Sequence, residues 1–142
     1  MPSIIDHEKY DARFPAENVL EDSQDFWDDE DIANYWVTGD GKVGDEAYFI
    51  MDLGCISAIS RITVKNTHSA HHNDRGTKKF SVFSSNSASG PWNKLLTKTL
   101  PDPRNNVPVN KTFTVRSQGQ YVKVEVDSFY GWGGGLQFFQ VN

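Results

Sequence analysis

The sequence has one cysteine, no cluster of basic residues and no long apolar run, and each of these absences excludes a class of protein. Because Cys55 has no second cysteine to pair with, no intrachain disulfide forms, and a hydrophobic core must stabilise the fold. Lys and Arg number 14 against 19 Asp and Glu, a net charge of −5 that disfavours nucleic acid and anionic lipid as partners. No stretch approaches the length needed to span a membrane.

The amino-terminal residues do not identify the cellular compartment of the protein. Residues 1–4 (MPSI) lack the charged region and apolar core of a secretory signal. We therefore expect either an intracellular protein or a module cut from a longer, extracellular chain. The length of 142 residues, with no linker, repeat or low-complexity tract, predicts a single domain over residues 1–142.

Short apolar segments separated by turn residues predict β-strands and no long helix. Residues 48–51 form an apolar run of strand length, and residues 61–65 and 121–126 alternate apolar with polar positions. Residues 117–120 (SQGQ) look like a hairpin turn. Seven or eight such strands predict an all-β sandwich or barrel. Further strands are expected at 80–82, 92–96, 112–115 and 136–141.

The acidic first part of the chain is expected to be mostly loops and turns. Residues 1–45 contain many Asp and Glu and few periodic apolar positions. A short helical turn over residues 16–20 is the exception, since Pro15 suits the first position of a helix.

A polar loop after the second predicted strand carries three of the four histidines. Neutral imidazoles donate and accept hydrogen bonds, the Arg75 guanidinium is a planar array of donors, and amide and carboxylate oxygens accept. Together they would hold the vicinal hydroxyls of a sugar. The alternative is a solvated loop in which Asp74 and Arg75 bond only their own turn. The predicted ligand-binding residues of this loop are His68, His71, His72, Asn73, Asp74 and Arg75.

A glycine-rich segment near the carboxyl terminus offers an aromatic ring for the same ligand. Trp132 is flanked by Gly131 and Gly133, which leave room for a ligand to approach, and its indole has an apolar face and a polar edge. We predict that Trp132, and after it Tyr130, stacks on a sugar. The alternative is that Trp132 plugs the end of the sandwich.

The sequence disfavours both a zinc site and a catalytic site. A zinc site made of His68, His71 and His72 would need a fourth ligand, and structural sites usually contain thiolates, of which only one is present. No GxSxG nucleophile motif occurs. The acidic residues cluster in one loop, where paired carboxylates cannot flank a glycosidic bond. We therefore expect a binding protein and not an enzyme.

The order of segments resembles the discoidin family, also called the coagulation factor V/VIII type C domain, from residue 16 to residue 141. The resemblance implies a galactose-binding-like jelly-roll β-sandwich of about eight antiparallel strands, with ligand-binding loops at one end. The matching segments are AENVL at 16–20, NYW at 34–36, YFIMDLG at 48–54, ISRITV at 59–64, KKFSV at 78–82, GPW at 90–92 and YVKVEV at 121–126.

The resemblance also implies a structural calcium ion in the acidic loop. Calcium takes six to eight oxygen ligands, which closely spaced carboxylates and carbonyls supply. The candidates are Asp29, Asp31 and Asn34, with Gln137 standing near where many members carry a glutamate in the last strand. The alternative is a solvated acidic loop without a metal.

The sequence thus predicts a lectin-like or adhesion module that binds a glycan or glycoprotein through loops at one end of the sandwich. The alternative hypothesis is a protein-interaction module of the same fold within a larger assembly, which the lone cysteine and the absence of a visible secretory signal favour slightly.

Overall fold

A computed structural model describes residues 2–8, 14–22, 35–68 and 73–142 of the protein, and their regular secondary structure is β-strand apart from two short 3₁₀ helices, as the predicted all-β fold requires. No helix among them has the length and apolarity to cross a membrane. They contain seven strands, against about eight expected. The strands are β1 (Ser3–His7), β2 (Trp36–Val37), β3 (Tyr48–Asn66), β4 (Arg75–Ser85), β5 (Asn93–Thr99), β6 (Lys111–Gly131) and β7 (Gly135–Val141), with 3₁₀ helices at Ala16–Leu20 and Gly44–Glu46.

The strands form one antiparallel sheet that bends into two layers, because the long strands β3 and β6 take part in both. In the first layer, the order is β5, β4, the second half of β6, the first half of β3, and β1. In the second layer, the first half of β6 pairs with the second half of β3, followed by β7 and β2. The predicted β-sandwich is therefore confirmed.

The bend in β3 is a bulge stabilised by one side chain. Asp52 pairs with Tyr121, but the next pair is Ser57 with Gly119, so residues 53–56 have no partner in β6. Gly54 has a φ of 92°, which favours glycine, and its N–H donates to Asp52 Oδ1 at 2.7 Å. The predicted hairpin turn at residues 117–120 is wrong, because β6 runs through it. The turn-like composition there marks the bend between layers.

Aromatic contacts join the two layers across the core. Phe49 of the first layer lies 5.0 Å from the Trp36 ring and 5.5 Å from the Phe139 ring, both in the second layer and both edge to face. Such contacts add to the free energy of burial. Phe80 of the first layer and Phe113 of the second also lie close, with tilted rings whose centres are 6.2 Å apart. The core therefore lies between the layers.

The amino-terminal part differs from the expectation of loops. The 3₁₀ helix at Ala16–Leu20 confirms the predicted turn, but β1 pairs with β3, which the short SIIDH pattern did not reveal. Beside β1, Glu8 Oε1 accepts a hydrogen bond from Trp36 Nε1 at 2.8 Å, and burial raises the pKa of the Glu8 carboxyl. These contacts attach the first segment to the core.

Candidate functional site

Three loops meet at one end of the sandwich, and we call residues 38–41, 73–75 and 131–134 the rim. The Trp132 N–H donates to the Asp74 carbonyl at 2.9 Å, and the Trp132 carbonyl accepts from the Gly41 N–H at 2.8 Å. The Thr38 N–H donates to the Gly134 carbonyl at 2.9 Å. The histidine-rich loop and the glycine-flanked tryptophan, separated by more than fifty positions in the sequence, are therefore neighbours.

Glycines allow this close approach of the three backbones. Gly131 has a φ of 83°, and a Cβ added to it would lie 2.7 Å from the Asp74 carbonyl oxygen. A Cβ on Gly133 would lie 3.1 Å from the Gly39 carbonyl oxygen. The backbone of Trp132 is held between two loops, yet the residue is 64% exposed to solvent. This exposure does not fit the alternative in which Trp132 plugs the end of the sandwich. The indole is displayed on a fixed backbone.

Within the rim, Arg75 and Asp40 form an ion pair. Arg75 Nη2 lies 2.6 Å from Asp40 Oδ1, with the Arg75 side chain 20% exposed and the Asp40 side chain 61% exposed. Because Arg75 is mostly buried, the pair fixes its guanidinium under the rim. Asp40 was not predicted from the sequence. The only feature of the sequence near Asp40 that points to this residue is its position between two glycines, Gly39 and Gly41. Its ion-pair partner, Arg75, is 35 positions away in the sequence.

Side chains at the base of the histidine-rich loop pin both of its ends. The Asn66 side-chain amide donates to the Thr77 carbonyl at 2.8 Å, and Asn66 Oδ1 accepts from the Thr77 N–H at 2.9 Å. Thr67 Oγ1 donates to the Arg75 carbonyl at 2.9 Å. Thr77 Oγ1 donates in turn to the Gly135 carbonyl at 2.6 Å, which ties β4 to β7. The loop therefore leaves and re-enters the sheet at fixed points.

Two residues predicted to bind ligand lie against another loop of the protein. His68 Nδ1 is 3.1 Å and Asn73 Nδ2 is 2.9 Å from the Pro103 carbonyl oxygen, and these two nitrogens are 3.0 Å apart. Both side chains are half-buried. Their contacts hold the histidine-rich loop to residues 100–106, and their role in binding a ligand stays a prediction.

Tyr130 lies on the same side as residues 100–106 and below the rim. Its hydroxyl donates to the Leu100 carbonyl at 2.8 Å, and Arg104 lies 6.0 Å from the centre of its ring. Arg104 also forms hydrogen bonds with Asp102, which lower the pKa of the Asp102 carboxyl. Tyr130 thus helps to position this loop, while Trp132 faces solvent.

The remaining predicted residues divide between the core and the undescribed part of the chain. His71, His72, Asp29, Asp31 and Asn34 lie outside the described residues. Gln137 is fully buried on β7, where its amide oxygen is of the type that calcium accepts. Within the described ranges, no group of three or more His, Cys, Asp or Glu is arranged to hold a metal ion. A calcium site would therefore depend on the acidic loop and remains a prediction.

Comparison with known proteins identifies the family and the fold. The profile of the F5/8 type C domain matches residues 5–140, and no curated protein sequence matches the chain. The family 32 carbohydrate-binding module of Streptococcus pneumoniae EndoD is 12% identical, with a TM-score of 0.69 over 99% of this chain and 94% of that one.

Two further similar structures contain bound sugars. The family 32 module of Clostridium perfringens NanJ, in complex with galactose, is 15% identical with a TM-score of 0.65, covering 99% of this chain and 91% of that one. A chitosan-binding module from a Paenibacillus chitosanase/glucanase, in complex with chitotriose, is 15% identical with a TM-score of 0.65, covering 99% and 94%. At these identities, the likeness establishes the fold.

Proposed function

Because the chain belongs to the F5/8 type C domain family, we propose that it is a non-catalytic carbohydrate-binding module whose glycan site is the rim. The observation that carries this proposal is that the rim holds both the exposed Trp132 indole and the Arg75–Asp40 ion pair. The sugar-bound modules that share the fold support it. One of those modules derives from a chitosanase/glucanase.

The chemistry of the rim suits a neutral sugar. The indole stacks on the apolar face of a pyranose ring, and the guanidinium donates to one or two hydroxyls. Asp40 accepts from a neighbouring hydroxyl while it remains paired with Arg75, so the rim carries little net charge at this point. Asp74 is half-buried at the same edge and provides a second acceptor. His71 and His72 remain candidates for further contacts.

Binding at a single rim is expected to be weak. The site is shallow and polar, so the ligand loses hydration without filling a deep pocket, and a Kd of about 0.1 to 1 mM is expected. A role in adhesion would therefore require several copies of the module or of the glycan on one surface.

A glycan array followed by calorimetric titration tests the proposal. Galactose, N-acetylgalactosamine and chitotriose serve as the first ligands, and the chain should bind at least one sugar on the array and leave it intact. If no sugar binds and a protein partner is instead retained from a native extract, the interaction-module hypothesis replaces this one.

We also propose that calcium stabilises the acidic loop through Asp29, Asp31, Asn34 and Gln137. Adding calcium to chelator-treated protein should raise the melting temperature, because a ligand that binds only the folded state adds about 2.7 kcal/mol at 100 times its Kd. Differential scanning calorimetry measures this shift, with magnesium as the control. A melting temperature that is the same with calcium and with chelator would contradict this proposal.

A further inference from the structure

Away from the rim, the two layers leave an open seam along one side of the sandwich. Among residues 2–8, 14–22, 35–68 and 73–142, β5 pairs only with β4 and the first half of β6 pairs only with β3, so each presents one edge that no described strand covers. Between these edges runs a groove of about 390 Å³, which we call the seam groove. The residues that line it include Lys94, Leu95, Thr97 and Lys98 of β5 and Thr114 and Arg116 of β6.

The seam groove is cationic in a chain whose net charge is −5. Lys94, Lys98 and Arg116 line it, and none of its lining residues is acidic. In the part of the chain that the structure describes, the ion pairs that form involve other basic residues and leave these three without a carboxylate partner. A concentration of one sign of charge in a groove attracts ligands of the opposite sign.

The register of β5 places its two lysines on opposite faces of the first layer. Lys98 pairs with the buried Phe80 and so belongs to the inner face, where its amine lies 5.6 Å from the centre of the Phe113 ring across the seam. A bulge near Leu95 changes the alternation, and the Lys94 amine lies over the outward-facing Phe83 at 5.6 Å. From the rise of a strand, the two lysines are about 13 Å apart along the groove.

We propose that the seam groove binds an acidic polysaccharide, a chain that presents carboxylates or sulfates at intervals. The three cations are spread along the β5 edge and across the seam to β6, which fits an extended polymer better than a single small anion. The threonine hydroxyls and short polar side chains of the lining suit a hydrated chain. An added peptide strand fits poorly, because an inward-pointing lysine such as Lys98 blocks the pairing of another strand at this edge.

This site is separate from the rim and uses different physical chemistry. The rim offers a stacking surface and a neutralised ion pair to an uncharged sugar, whereas the seam groove offers charge. Binding at the seam groove should therefore depend strongly on salt concentration, and binding at the rim should depend on it weakly.

Affinity measurements with two polyanions test the proposal. Polygalacturonate supplies carboxylates, chondroitin sulfate supplies sulfates together with carboxylates, and dextran is the uncharged control, each titrated at low and at physiological ionic strength. We expect at least one polyanion to bind at low salt and to weaken as salt rises. Each of the changes Lys94→Gln, Lys98→Gln and Arg116→Gln should weaken binding about fivefold, as expected for a partly exposed charge pair.

Charge-matched and site-matched controls separate this result from general electrostatics and from the rim. Lys42→Gln removes the same charge at an exposed position that does not line the groove, so it should leave polyanion affinity unchanged. Trp132→Ala should likewise leave it unchanged, even if neutral sugars no longer bind. The proposal is overturned if neither polyanion binds at low salt, if the triple groove variant binds as well as the parent chain, or if Trp132→Ala abolishes binding.

Discussion

The Trp132→Ala variant is expected to lose neutral-sugar binding almost completely while keeping its fold. Trp132 has a side chain largely in solvent, and its place in the rim is fixed by backbone hydrogen bonds that alanine also makes. Losing the stacking surface should cost about 2 kcal/mol, or roughly thirtyfold in Kd, which moves a weak site beyond measurement. Isothermal titration gives the affinity, and a thermal melt should show a change of at most about 1 °C.

A second tryptophan provides the matched control for this prediction. Trp92 is half-buried and contacts Lys123 on the outer face of the first layer, away from the rim residues. Trp92→Ala therefore removes the same side chain without touching the proposed site, and its sugar affinity should equal that of the parent chain. Equal loss in both variants, or no loss in Trp132→Ala, would show that the rim is not the glycan site.

The sequence predicted which segments meet at the rim, but not the contacts that their side chains make with the rest of the protein. The hydrogen-bonding capacity of clustered imidazoles and the stacking surface of a glycine-flanked indole can be recognised from the sequence alone. The structure brings their two segments together through residues 74 and 132. Asp40 was missed because its significance depends on a long-range ion pair with Arg75. Conversely, His68 and Asn73 looked like surface ligands, but their half-burial against Pro103 depends on a loop that follows two strands later.

Strand positions were predicted well, but strand continuity was not. Alternation at residues 121–126 identifies buried Val122, Val124 and Val126 without ambiguity. The segments around Gly54 and Gly119 look like turns because they contain glycine and polar residues. In the structure they are the bends through which β3 and β6 pass from one layer to the other. Local composition cannot distinguish a turn that reverses the chain from a bulge that redirects it.

The Phe49→Ala variant is expected to lose far more stability than Trp132→Ala or any variant of the seam groove. Phe49 is fully buried and contacts Trp36 and Phe139, so alanine leaves a cavity at the junction of the two layers. Phenylalanine-to-alanine changes in cores cost about 3 to 5 kcal/mol, which corresponds to a decrease in melting temperature of roughly 10 °C for a chain of this size. Chemical denaturation with urea measures the free energy of unfolding directly.

The structural effect of this cavity should extend to the rim, because β2 connects the core around Phe49 to the turn that carries Asp40. Trp36 packs on Phe49, and the chain continues from Val37 into the turn that carries Asp40. A loosened Trp36 should let Asp40 and Arg75 move, so Phe49→Ala should weaken sugar binding even well below its melting temperature. Phe83→Ala is the control, since Phe83 is half-buried on the outer face, where it lies against Lys123. Unchanged sugar affinity in folded Phe49→Ala would mean that the rim is held by its own hydrogen bonds, independently of the core.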